Sequence, residues 1–405
     1  MGCFSRSSPA AATGPCVACC QAAQAKDNQL SQASAARIGL LTRHPQAAPS
    51  GRVNSECAQQ ATALAPVVQR FDRYREALPS ARAAADLNEL GDKAGDVASG
   101  KPCLTRLPVD AASLNAAMGL PPGKVEAKDL RNDDTGFRAA VYRDESTGKL
   151  ILVPRDTQPD SLEDWKTNTR NGVGQDTPQY AGMRTLTQHL QRGNQTFDIA
   201  GYSKGGGLAQ EGGLVNTLAQ VRVFNSAGLP DDALARTGQS SFDGLLARTR
   251  GFSAEGDFLT FMNTTTDPSQ NIINSRFLQR ELAGQGPGLN PINIKVRNPA
   301  MRGVNDPTFA SDKQSYIDEL GRQIDGMQSA YDTGGVVASF PPVRAQTRET
   351  VNDSMTLAGK ALGARSGQPT LGKLAQHKMD VVLDAMERNV ADDRTSLSSF
   401  IARCG

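Results

Sequence analysis

An α/β fold, with a mostly parallel central sheet flanked by helices, is predicted by three observations. From about residue 103 onward, strand-like and helix-like segments alternate, the order that builds a parallel sheet covered by helices. The stretch "TFDIAGYSKGGGLAQEGG" (196–213) runs an apolar strand into a helix through a Gly-x-Ser-x-Gly turn. With 405 residues, 38% hydrophobic and 21% charged, the chain is long enough to bury a large core.

The elements follow in order. Residues 1–55 carry five basic residues (Arg6, Lys26, Arg37, Arg43, Arg52) and one acidic residue, Asp27, among Ala, Ser, Gln and Pro. So little bulky apolar surface cannot offset chain entropy, and a disordered amino-terminal arm with a secretion or targeting role is expected. Residues 56–102 are rich in helix formers broken by proline or glycine, and read as a helical segment. Residues 103–405 hold the α/β domain. "FRAAVYR" (137–143) and "KLILVP" (149–154) form a hairpin across "DESTG". "PQYAGMRTLTQHLQRG" (178–193) is an amphipathic helix with proline at its start and glycine at its end. "TFDIAG" and "VRVFNSAG" are strands around the glycine-rich helix, "LLARTRGF" (245–252) is a further short strand, and "INIKV" (292–296) another. "KQSYIDELGRQIDGMQSAY" and "KLAQHKMDVVLDAMERNV" are late helices.

Composition excludes several classes. A net charge of +2 gives no footprint for nucleic acid. No apolar run reaches the roughly 18 residues of a membrane span, and "SPAAATGPCVACCQAAQA" lacks the apolar centre of a signal peptide. Seven cysteines, four of them in the first 20 residues, suggest a reducing compartment without structural disulfides. "CVACC" has no second ligand pair at metal spacing, so no metal or other cofactor is implied. "MGCFSR" offers Gly2 and Cys3 as lipidation candidates, although Arg6 stands where the acylation pattern has Ser or Thr.

The glycine-rich turn is not a phosphate loop, because Lys204 precedes the glycines and no Lys-Ser or Lys-Thr follows them. It also fails the dinucleotide fingerprint, which needs Gly or Ala where Gln210 stands. Gly201-Tyr202-Ser203-Lys204-Gly205 does fit a nucleophile elbow. There the serine sits in strained backbone at a sharp turn, so its neighbours two positions away must lack side chains. The following helix then points its positive end at a developing oxyanion.

A serine nucleophile needs a base. The three histidines are His44 in the arm, His189 before the elbow and His377 after it. The α/β-hydrolase order of Ser, acid, His selects His377. Asp257, after the strand at 245–252, is the favoured acid. Asp231 and Asp232 fall too early, and Glu255 and Asp267 remain alternatives.

On these residues the chain resembles the class 3 lipases, a family of α/β-hydrolases. "AVYRDESTGKLILVPRDTQ" is similar to the family's strand and oxyanion loop, "LEDWKTNT" to its Asp-Trp segment, "GYSKGGGLA" to its elbow and "RVFNSAGLP" to the strand that follows. The resemblance implies a lipase or phospholipase that hydrolyses carboxylic esters of glycerolipids or phospholipids. Ser203 would be the nucleophile, Asp257 the orienting acid and His377 the base, with the N–H groups of Thr157 and Lys204 as the oxyanion hole. Departures are Asp156 for the loop glycine, and Tyr202 and Lys204 flanking the serine. Lys204 and Arg155 are candidates to attract an anionic headgroup, and the segment around Trp165 is a candidate flap. The arm and domain together resemble lipase-like type III secreted effectors of plant-pathogenic bacteria, which implies secretion, virulence and action in the host cytoplasm or at a membrane surface. The alternatives are a catalytically impaired lipid-binding effector, such as a phosphoinositide binder, using the same pocket, and a non-lipid esterase.

Overall fold

Alternate residues of a strand go to opposite faces of its sheet, and in the central strands here both sets are apolar. In Leu150–Pro154, Leu150 and Leu152 face one way, Ile151 and Val153 the other, and all are buried. Such a strand is covered on both sides. The computed structural model describes residues 17–44, 51–90, 101–107, 110–157, 167, 176–229, 233–254, 293–296 and 379–405.

In chain order the described elements are α1 (Val17–Arg43), α2 (Gly51–Leu90), β1 (Leu104–Arg106), α3 (Ala111–Met118), α4 (Ala127–Leu130), β2 (Arg131–Asn132), β3 (Phe137–Asp144), β4 (Leu150–Pro154), α5 (Pro178–Leu190), β5 (Phe197–Tyr202), α6 (Lys204–Val215), β6 (Val221–Phe224), α7 (Ala233–Thr237), α8 (Asp243–Arg248), β7 (Thr249–Ala254), β8 (Asn293–Val296) and α9 (Met379–Cys404). The strands form one sheet in the order β1-β3-β4-β5-β6-β7-β8, with β2 paired to β3. The expected hairpin is present, Ala139 opposite Pro154 and Arg143 opposite Leu150. From β4 to β8 every pairing is parallel. Ser203 follows β5, the middle strand of that order, so it stands at the carboxyl edge of the sheet. The fold is therefore the α/β architecture that the alternation predicts.

Two helical layers cover the sheet. One face (Leu152, Ile199, Val221, Val223) packs on α3, α5, α6 and α8. The other (Ile151, Val153, Ala200, Phe224, Phe252) packs on α1, α2 and α9. Alanines 81, 83, 84 and 85 of α2 are all buried, and their small side chains let a long helix lie close to the sheet. The 40-residue α2 runs through Pro66 and Pro79, so packing overrides the breaks that the prolines predict.

Three expectations are corrected. Residues 17–43 of the arm are helical rather than disordered. Their burial comes through small residues, Cys20, Ser31 and Ser34, with Ile38 and Leu41, and through polar partners distant in sequence. Ser31 donates to Asp72 at 2.8 Å, Arg394 grips Asp27 through two bonds of 2.8 and 2.7 Å, and Arg37 donates to the Cys404 carbonyl. Second, Leu245 and Leu246 are adjacent and buried in the same core, which a strand cannot do; that segment is α8, and β7 starts only at Thr249.

Third, the chain does carry disulfides. Cys20 pairs with Cys103 and Cys57 with Cys404, across 83 and 347 residues. Cys57 and Cys404, far apart in sequence, meet because α2 and α9 run antiparallel, with Arg70 paired to Asp393 and Arg82 to Glu387. One bridge fastens α2 to α9, and the other fastens α1 to the residue just before β1. Reduction is expected to lower stability by about 2–4 kcal/mol per bridge, read as a drop in the urea midpoint with reductant. An unchanged midpoint would contradict this. Among the described residues no helix is long and apolar enough to cross a membrane.

Candidate active site

The site begins with a backbone angle. Ser203 has φ 53° and ψ −123° between β5 and α6, a conformation that costs a non-glycine residue about 1–3 kcal/mol. Backbone hydrogen bonds hold it. The Ser203 N–H donates to the Phe224 carbonyl at 3.1 Å, and the Ser203 carbonyl accepts from Gly206 at 3.0 Å and Ala227 at 2.8 Å. The flanking glycines are sterically required. A Cβ on Gly201 would collide with the Gly205 carbonyl, and one on Gly205 would stand 2.5 Å from the Pro154 carbonyl oxygen. Real Cβ atoms do not come that close to backbone oxygen. The second contact also sets the loop after β4 directly beside the elbow.

The remaining glycines of α6 serve packing, a role the sequence analysis does not assign. A Cβ on Gly206 would meet Ser226, and one on Gly207 the Tyr180 hydroxyl. Cβ atoms on Gly212 and Gly213 would lie 2.5 Å from Met183 and 2.6 Å from Val221. Glycines at 205, 206, 212 and 213 recur every seven residues, which is the same face two turns on. That spacing was the available signal.

Lys204 does not face a headgroup. It is 4% exposed, and its Nζ donates to Gln179 Oε1 at 2.8 Å. Gln179 in turn donates to the Thr135 carbonyl at 2.9 Å. Arg155 is 5% exposed. The expectation that these cations attract an anionic headgroup is therefore corrected: both side chains are inside. The Lys204 N–H belongs to the first residue of α6.

Arg155, Asp156 and Thr157 follow β4, where the Arg155 N–H donates to the Arg138 carbonyl at 2.9 Å. Thr157 is half-buried and Asp156 is buried. With the amide of Asn88 oriented to satisfy both groups, its nitrogen donates to both Asp156 carboxylate oxygens, at 2.7 and 3.0 Å. A carboxylate at this position thus has a designated partner on α2.

Beneath the elbow lies a second polar layer that sequence reading missed. Gln210 donates to Ser226 Oγ at 2.8 Å and to the Ala227 carbonyl at 2.9 Å, steadying the segment whose Ala227 N–H holds the Ser203 carbonyl. Glu211 is fully buried and ion-paired to Arg184 and Arg236, and Asp176 also reaches both arginines. Burial works against the charge of Arg184, but its bonds to Asp176 and Glu211 outweigh that and raise its pKa. Burial also raises the pKa of the Tyr180 hydroxyl, which stays neutral. Polar residues inside an otherwise buried helix are the sequence signal for this layer.

His189 lies elsewhere. Its Nδ1 is 3.3 Å from Asp129 Oδ2, near the end of α5. Gln179 and Tyr180, which touch the first turn of α6, stand at the other end of α5, about 15 Å away at helical rise. His44 is exposed just past α1. Asp257 and His377 lie outside the described residues, as do Gly2, Cys3, Trp165, Asp231, Asp232, Glu255 and Asp267. β7 ends at Ala254, three positions before Asp257, at the same carboxyl edge as Ser203. α9 begins at Met379, two positions after His377.

Residues 108–291 match the family model of the Tle-like phospholipase domain, a phospholipase-like family. The match supports a relation to phospholipase- and lipase-like proteins, and it covers the loop after β4 and the elbow. It covers less than half of the chain and leaves out α1, α2 and α9. No curated protein matches the chain.

Proposed function

We propose that the chain is a serine-dependent phospholipase or lipase that hydrolyses carboxylic esters of phospholipids or glycerolipids. The observation that carries this reading is Ser203: a non-glycine residue at φ 53°, opening a helix at the carboxyl edge of the sheet between two sterically required glycines. A turn without chemistry has no need of a strained serine at that point. The phospholipase-like match over the same region supports the substrate class.

In the proposed reaction Ser203 Oγ attacks the acyl carbonyl while His377 takes its proton and Asp257 orients the imidazole. The carbonyl oxygen becomes an anion facing the N–H groups of Lys204 and Thr157. Collapse expels the alcohol, which takes the proton from His377, and leaves the acyl group on Ser203. Water, deprotonated by His377, then releases the fatty acid and restores the serine. Sequence position supports the base. α9 pairs antiparallel with α2, so its first residues, next to His377, run toward the end of α2 that carries Asn88 and meets Asp156. Secretion as an effector, acylation at Gly2 and Cys3, and action at a host membrane belong to the same reading as expectations from the amino-terminal composition.

The test is fatty-acid release from phospholipid vesicles. His377→Ala and Asp257→Ala are each expected to lower kcat by about 10³–10⁴-fold, with Glu255→Ala and Asp267→Ala within a few-fold of wild type. Turnover retained in His377→Ala, or vesicle binding by the wild type without fatty-acid release, would overturn the proposal.

A further inference from the structure

A carboxylate beside the loop that receives an oxyanion repels that anion unless it is held elsewhere. Asp156 stands in that loop, next to Thr157, and the loop abuts Gly205 of the elbow. Its partner comes from a helix outside the matched family region: the Asn88 amide spans both Asp156 oxygens. The end of α2 that carries Asn88 is itself anchored. Two residues earlier, buried Asp86 accepts from the Tyr142 hydroxyl at 2.9 Å and lies 3.7 Å from Arg106, fastening α2 to β3 and β1.

We infer that Asn88 is a positioning residue: its amide pins the Asp156 carboxylate toward α2, and so sets the loop that presents the Thr157 N–H to the oxyanion. This rests on the hydrolase reading above. Asn88 touches neither substrate nor reacting atoms, and its effect passes through Asp156. The layer of α1, α2 and α9 thereby gains a part in the site as well as in the core, because α2 fixes the carboxylate of the oxyanion loop. Geometry held by such supporting contacts is what a rate loss of about 10²-fold depends on when it slips by an ångström.

The test is a double-mutant cycle on the full chain. Asn88→Asp sets two carboxylates against each other and is expected to lower kcat by about 10²-fold with KM within about twofold. The exchange Asn88→Asp with Asp156→Asn restores an amide–carboxylate pair with the roles reversed, and is expected to return kcat to within about tenfold of wild type. A purely structural role would move the melting temperature and leave kcat per folded molecule unchanged. Asn88→Asp with wild-type kcat overturns the inference, as does an exchange variant that melts like the wild type yet is no faster than Asn88→Asp.

Labelling of Ser203 by a fluorophosphonate is the second readout. The serine oxygen bonds to phosphorus, fluoride leaves and the serine proton passes to the base, using the same loop without a lipid. A wild type that labels at Ser203 but releases no fatty acid defeats the phospholipid reading, and Asn88 is then judged on labelling rates: slowed in Asn88→Asp and recovered in the exchange if the inference holds, equal in all three if it fails. A wild type that does not label defeats both.

Discussion

Ser203→Ala is expected to abolish ester hydrolysis, with a loss in kcat of about 10⁴–10⁶-fold, while the protein remains folded. The size follows from the step removed, since without Oγ no acyl-enzyme forms and only bound-substrate hydrolysis by water is left. The elbow also makes a prediction about stability. Ser203 holds φ 53°, and glycine adopts such backbone without the Cβ penalty. Ser203→Gly should therefore be inactive yet more stable than the wild type, by about 1 kcal/mol. Urea denaturation reads the gain. An active Ser203→Ala protein, or a Ser203→Gly protein less stable than wild type, would contradict this account of the turn.

Glu211→Ala is expected to cost about 3–5 kcal/mol, the largest single loss of stability among the described polar residues. The carboxylate is fully buried and binds Arg184 and Arg236. Removing it leaves two guanidinium groups whose remaining carboxylate, Asp176, is partly exposed. Glu211 sits on α6 eight residues after Ser203, so the damage spreads to the contacts among α5, α6 and α7. Equilibrium unfolding in urea measures the loss. A change below about 1 kcal/mol would mean that the arginines relax into water without cost.

Local signals carried much of this molecule. The hairpin of β3 and β4 was legible because both strands are short apolar runs bounded by a Gly-containing turn. The strand–turn–helix at 197–215 was legible because the glycine spacing around Ser203 matches a steric need, and the helix at 178–190 because proline, apolar spacing and glycine agree. What could not be read depends on contacts between distant residues. α1 has the composition of a disordered tail, and it is held by Asp72 of α2 and by Arg394 and the Cys404 carbonyl of α9, none of them near it in sequence. The disulfides were hidden for the same reason, since Cys57 and Cys404 meet only once α2 and α9 align.

Within the site, the residues flanking the serine were judged by chemistry, while their direction depends on the fold. Lys204 reads as a surface cation beside a nucleophile. It points instead to Gln179, because residues that open a helix at the edge of a sheet send some side chains inward. Asp156 reads as an obstacle in an oxyanion loop, and Asn88, 68 positions earlier, resolves it. Two adjacent leucines at 245 and 246 pass for the interior of a strand until both are seen in one core.

The central claim is that Ser203 carries the acyl group during turnover. Quenching the enzyme within a turnover of a slowly deacylating phospholipid or activated ester, then mapping its peptides by mass spectrometry, tests this directly. The account predicts that the acyl mass appears on Ser203 in the peptide from the glycine-rich turn, and that it disappears in Ser203→Ala. Continued substrate hydrolysis with that serine unmodified, or an acyl group on another residue, would contradict it.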